Sequence, residues 1–209
     1  MADDFNDDAE CLPSKINFIQ LQTIIIVISS ISGHKYAAML VSTRFSPRKV
    51  YFYIMKLQFW CIGKNHEQYI KEGVQDFTQR ISKYFPVEWT IIPVPKNAGM
   101  MSEMDLRKKE GEIILNWLKE EYLVALDEHG KQMSSEQLAG FIQARANEST
   151  KAIVFVIGGA FGLDEAIIKR ADYKWSLSKL TFPHQLVRLI LAEQVYRACT
   201  IMRNEKYHH

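Results

Sequence analysis

The chain has 209 residues, 47% of them apolar and 24% charged, and a formal net charge of +2. That length allows one substantial domain, or one domain with an appendage, and the composition is globular rather than fibrous or disordered. Cys11, Cys61 and Cys199, with the scattered His66, His129 and His184, have no metal-ligand spacing; no metal site is expected, and the thiols read as free in a reducing compartment.

Residues 1–54 read differently from the rest. They open with Asp3, Asp4, Asp7, Asp8 and Glu10, where a secretory signal would be basic. The apolar run at 21–31 is broken by Gln22, Ser29 and Ser30 and is too short to span a bilayer. Residues 34–54 show neither helical nor strand periodicity. The segment is expected to be an N-terminal extension preceding a natural start at Met55, with a targeting or membrane-surface appendage as the alternative. A domain is expected over 55–209.

From Met55 strands and helices alternate. Lys56–Ile62 is strand-like and bounded by Gly63. Over 69–84, Ile70, Val74, Phe77, Ile81 and Tyr84 recur on one helical face. Val87–Ile92 is a second strand, closed by Pro93 and Pro95. Residues 104–121 form a charged helix burying Leu106, Ile113, Ile114 and Leu118. A third strand over 122–126 ends at Asp127, Glu128, His129 and Gly130. Ser134 and Gln137 have capping-box spacing ahead of a helix over 138–146.

Ala152–Ile157 is wholly apolar, as in a strand covered on both sheet faces. Gly158, Gly159 and Gly162 turn it into a helix capped by Asp164. A last strand over 174–177 leads past Pro183 into a helix from His184 to Met202. This alternation predicts a single α/β domain with a parallel sheet.

Charge is uneven along this domain. Residues 55–168 carry 13 Lys/Arg against 16 Asp/Glu, whereas 169–209 carry 8 against 3, a surplus of +5. A basic C-terminal segment fits an anionic partner, or simply a solvated basic helix.

The turn at 157–162 lacks the Lys-Ser/Thr of a triphosphate-binding loop, and its GGxxG spacing is not the dinucleotide fingerprint. It reads equally as a close backbone approach to a ligand and as a tight strand-to-helix turn. Asp127 reads as a turn former, a helix cap or a ligand contact. Three strand ends, at Leu126, at Gly158 and Gly159, and at 177–182, are expected on one edge of the sheet, where α/β proteins gather ligand-contacting loops.

The combination of these segments carries a resemblance. It comprises Met55, Lys56 and Leu57; Leu126 and Asp127 with Gly130 and Lys131; Ile157 to Leu163 with its three glycines; and Trp175, Ser176, Leu177, Ser178, Leu180 and Thr181. It continues through Pro183 and His184; Leu186, Val187 and Arg188; the run from Glu193 to Ala198; and Asn204, Tyr207 and His208. Over 55–209 the chain resembles the SPOUT methyltransferases, and within them the subfamily that methylates N3 of a pseudouridine in large-subunit ribosomal RNA.

The resemblance implies an α/β domain with a C-terminal deep trefoil knot, a homodimer, a cytoplasmic location and S-adenosyl-L-methionine as cofactor. Matched residue by residue, the donor pocket would use Leu126, Gly158, Leu177, Ser178, Lys179, Leu180, Thr181 and Phe182, largely through main-chain groups. The N3 proton must leave before that nitrogen attacks, so a base is expected, with Glu193, His208 and His184 as candidates and Arg188 or Arg197 stabilising negative charge.

Each candidate has a plainer reading: Glu193 as the i+4 partner of Arg197, and His184 as a first-turn helix residue. Ribosomal RNA would meet Arg188, Arg197, Arg203 and Lys206 at phosphates and Tyr196 or Tyr207 as stacking faces. The family tail commonly adds a basic residue after its Tyr-His pair, where this chain has His209. Action on tRNA or another ribosomal position, and ribosome binding without catalysis, are the alternatives.

Overall fold

The structure is a computed structural model and describes residues 55–207. The expectations for residues 1–54 and for His208 and His209 lie outside the described residues. Five strands, β1 (Lys56–Ile62), β2 (Val87–Ile92), β3 (Tyr122–Gln132), β4 (Ala152–Ile157) and β5 (Tyr173–Ser176), form one parallel sheet in the order β2-β1-β4-β3-β5. The helices are α1 (Gln68–Ile81), α2 (Glu103–Trp117), α3 (Ser135–Asn147), α4 (Glu165–Arg170) and α5 (His184–Met202), with a 3-10 turn at Ala98–Met100.

Every residue of β4 is buried, because helices cover both sheet faces. On one face Leu57, Phe59, Ile153 and Phe155 pack under α1, α3 and α5 through Ile81, Leu138, Ile142, Leu191, Val195 and Ala198. On the other, Trp60, Leu123, Val154 and Val156 meet Ile114 of α2 and Ile167 of α4. The alternation along each strand divides its side chains between these two cores.

Local signals explain the helix starts. Ser134 accepts from the Gln137 amide at 3.2 Å while the Gln137 side chain accepts from the Ser134 amide at 2.8 Å, closing the predicted capping box. Asp164 caps α4 by accepting from Ala166 N–H at 2.8 Å.

Two boundaries differ most from the sequence reading, while the helix expected over 69–84 stops at Ile81 and the one expected over 138–146 already begins at Ser135. The helix expected over 104–121 ends at Trp117, since Leu118 closes the last turn onto Ile114 and then turns extended toward β3. Strand β3 runs past 126 to Gln132 and pairs with β5 in two stretches separated by a register shift. Gly130 permits the second, because a Cβ there would lie 2.7 Å from the Lys174 backbone. Among the described residues no helix is long and apolar enough to cross a membrane.

Candidate active site

Strands β4, β3 and β5 lie side by side and parallel, so their carboxyl ends open on the same edge of the sheet. There the chain forms a cavity of about 430 Å³. It is lined by Leu126 from β3, by Gly158 and the following turn, and by Leu177, Ser178, Leu180, Thr181 and Phe182 after β5. Of the eight expected donor-site residues, Lys179 is exposed and does not line the cavity.

The turn is shaped by its glycines. A Cβ on Gly158 would sit 2.7 Å from the Gly162 carbonyl carbon, so the strand can fold back on itself only without one. Gly162 lies at φ +83°, where a side chain would strain the backbone. Beyond β5, Ser176 Oγ donates to the Ser178 carbonyl at 2.9 Å and Ser178 Oγ accepts from Leu180 N–H at 3.0 Å. These two bonds brace a loop that runs past the cavity without regular structure. Asp127, Glu128, Phe161, Trp175, His184 and Val187 are among the lining residues beyond the eight expected ones. Most of them neighbour the expected strand ends, and His184 and Val187 lie in the first turn of α5, but only folding shows which of their side chains reach the cavity.

Helix α5 carries the other candidates. Glu193 Oε1 accepts from Arg197 Nη2 at 2.6 Å and Nε at 3.0 Å, and its Oε2 accepts from Gln194 Nε2 at 2.7 Å. Tyr207 OH donates to Glu193 Oε1 at 3.4 Å, and the Arg197 guanidinium lies 4.9 Å from the Tyr207 ring centre. Glu193, Arg197 and Tyr207 are therefore one cluster. Burial, then the Glu193 carboxylate, pushes the Tyr207 phenol above its ordinary range. Val187 is the last α5 residue lining the cavity, and Glu193 lies six positions on, roughly 9 Å at 1.5 Å per residue.

Arg188 is 1% exposed, which corrects its reading as a phosphate contact. Its Nη1 donates to the Lys64 carbonyl at 2.9 Å and its Nη2 to the Ile62 carbonyl at 3.3 Å, so the charge is spent on backbone acceptors at the end of β1. Arg203 is exposed, with its guanidinium 5.9 Å from the Tyr84 ring. Tyr196 packs against Phe77, Tyr84 and Tyr207, leaving its ring within an aromatic cluster rather than free to stack. No group of three His, Cys, Asp or Glu among the described residues is placed to hold a metal ion.

A family model described as "Predicted SPOUT methyltransferase" matches residues 55–208. The chain is also 45% identical over 156 residues to the ribosomal RNA large subunit methyltransferase H of Cytophaga hutchinsonii, covering 74% of this chain and 100% of that one. The chain belongs to the ribosomal RNA large subunit methyltransferase H family of SPOUT methyltransferases. Another member, from Parabacteroides distasonis, is 44% identical over 156 residues, 74% of this chain and 99% of its relative. Among solved structures, a probable methyltransferase from Bordetella pertussis aligns with TM-score 0.45 and 12% identity, over 69% of this chain and 95% of that one. Within the SPOUT family match fall the cavity and the Glu193 cluster alike.

Proposed function

We propose that the protein transfers a methyl group from S-adenosyl-L-methionine to N3 of a pseudouridine in large-subunit (23S) ribosomal RNA within the assembled ribosome, in the cytoplasm. The observation that carries this reading is the cavity at the ends of β3, β4 and β5, built from seven of the eight residues expected to hold a methyl donor. Relatives 40–45% identical to this chain and named for methylation of large-subunit ribosomal RNA support the substrate class.

The lining suits the donor. A cavity of about 430 Å³ lies within the range of small-molecule sites. Leu126, Leu177, Leu180 and Phe182 offer apolar surface to an adenine ring, while Ser178, Thr181 and the glycine turn offer polar groups to ribose. Asp127 and Glu128 in the lining favour a cationic ligand over an anionic one. When bound, the donor supplies an electrophilic methyl group on a sulfonium.

The chain's task is then to align the acceptor and take its proton. Phe161 is 43% exposed and lines the cavity, where its ring is available to stack on the target base. The bound donor would supply the methyl group, and for N3 to accept it this chain would have to take the N3 proton with a base. Glu193 and His208 are the proposed bases, with Arg197 and Tyr207 orienting Glu193 and, with Arg203, meeting the RNA. Glu193 is too far along α5 from its own cavity to serve it directly. This supports a homodimer in which one copy's α5 and tail complete the other's site. The segment after β5 is read as the deep trefoil knot of the family, an exception to the rule against threaded connections. What supports it is that α5 leaves the sheet edge at β5 and packs back between α1 and α3.

The test is methyl transfer from labelled S-adenosyl-L-methionine to ribosomes lacking the modification, with the product nucleotide mapped. Label at N3 of a large-subunit pseudouridine is expected. Label on tRNA or at another position would overturn the substrate assignment, and ribosome binding without donor binding would overturn the enzymatic reading.

A further inference from the structure

Glu110 is 3% exposed on α2 and makes no hydrogen bond or ion pair to any described residue. Burying a carboxyl group without a hydrogen-bond or charge partner is costly, and burial raises its pKa. What it faces is the glycine turn of the proposed donor site. A Cβ built on Gly159 would lie 2.7 Å from Glu110 Oε2 and 3.0 Å from Oε1. The next residue, Gly111, stands equally close to the far end of that turn: its Cβ would lie 2.8 Å from Cβ of Asp164, the cap of α4. Helix α2 thus backs the segment 158–164 at two consecutive positions.

We infer that Glu110 is a positioning residue for the methyl-donor pocket, its carboxyl group setting the course of the turn from Gly158 to Gly162 from behind. The inference rests on the proposed donor site. Gly159 is itself buried and makes a bridge with Gly162, so the side of the turn away from the cavity is occupied by the carboxyl group. The other side is the cavity wall, formed by Gly158, Ala160 and Gly162. Removing the carboxyl group leaves a void into which the turn can relax. Adding a methyl group at Gly159 drives the turn toward the cavity or displaces Glu110 within packed surroundings. Either change moves the backbone that would contact the donor, and small misplacements of positioning groups have large effects on binding and rate. Glutamine keeps the volume and a polar end, and is expected to serve in its place.

The experiment compares Glu110→Ala, Glu110→Gln, Gly159→Ala and the double variant Glu110→Ala/Gly159→Ala by two readouts. The first is S-adenosyl-L-methionine affinity by calorimetry, with KM and kcat for methyl transfer alongside. The second is amide hydrogen exchange over 158–163 without ligand. Glu110→Ala is expected to raise Kd and KM about tenfold with kcat at saturating donor little changed, and Glu110→Gln by less than about threefold. Gly159→Ala is expected to weaken binding more in the parent than in the Glu110→Ala background, by about tenfold. Faster exchange over 158–163 in Glu110→Ala, with exchange in β1 and β4 unchanged, is expected whether or not the donor binds. Parent protein that fails to bind donor while this exchange pattern holds would remove the proposed function and leave Glu110 as the organiser of the turn. Unaltered exchange and affinity in Glu110→Ala, or an equal cost of Gly159→Ala in both backgrounds, would overturn the inference.

Discussion

Arg188 Nη1 donates to the Lys64 carbonyl at 2.9 Å across 124 residues of chain. With the second bond from Nη2 to Ile62, it ties the C-terminal helix to the exit of the first strand. Arg188→Ala leaves the Ile62 carbonyl at the buried end of β1, and the Lys64 carbonyl just beyond it, without a charged donor. It is expected to lower unfolding free energy by about 3 kcal/mol. Urea unfolding measures this, and an unchanged midpoint and slope would show that the carbonyls find other donors.

Gly158→Ala strikes the donor pocket from inside the turn. The added methyl group would lie 2.7 Å from backbone that cannot swing aside as a flexible side chain can. S-adenosyl-L-methionine affinity is expected to fall by about a hundredfold, measured by calorimetry. Retained affinity would place the donor elsewhere.

Glu193 is held by two bonds from Arg197 and one from Gln194, and Tyr207 reaches the same carboxylate. If it takes the N3 proton, Glu193→Gln removes the base but keeps the shape. A fall in kcat of at least about a hundredfold, with donor affinity unchanged, is the expected outcome. Tyr207→Phe should cost less than Glu193→Gln, since only a 3.4 Å bond is lost. A Glu193→Gln enzyme with parental kcat would make His208 the base to test next.

His66 predicts an acid-side loss of stability. Burial, then the charges of Arg188 and Lys71, hold its pKa below the ordinary 6.5. Its Nδ1 is buried without a partner among the described residues, and its ring meets Trp89 edge-on at 5.1 Å. The folded state therefore binds this proton less tightly than the unfolded chain. Its contribution is fully present above pH 6.5 and is lost as pH falls from there toward the depressed folded value. Urea midpoints of parent and His66→Gln, compared between pH 8 and pH 5, should show a smaller drop in the variant. Parallel drops would assign the acid lability to other groups.

Much of this architecture was legible because local patterns and tertiary demands agree. The wholly apolar Ala152–Ile157 could satisfy only a strand covered on both faces, and it is the centre of the sheet. Ser134 and Gln137 close their capping box through short-range bonds that need no other part of the fold. The extension of β3 to Gln132 was hidden, since residues 127–130 have turn composition and are held beside β5 by pairing that no local pattern encodes. Glu110 was hidden for a similar reason: in a helix so rich in charge, nothing marks one carboxylate as buried.

The sequence by itself determined the parallel α/β alternation, the three strand-end segments of the proposed site and the kinship of residues 55–208. Periodicity, glycine spacing and motif order are properties of the chain read locally. Only the tertiary structure decided that Arg188 faces inward to carbonyl groups at the end of β1, that Lys179 stands outside the cavity, and that Glu110 backs the glycine turn. Those outcomes depend on which elements pack against one another, across 49 residues for Glu110 and Gly159 and 126 for Arg188 and Ile62, so that burial and partner are settled by contact rather than by neighbours in sequence.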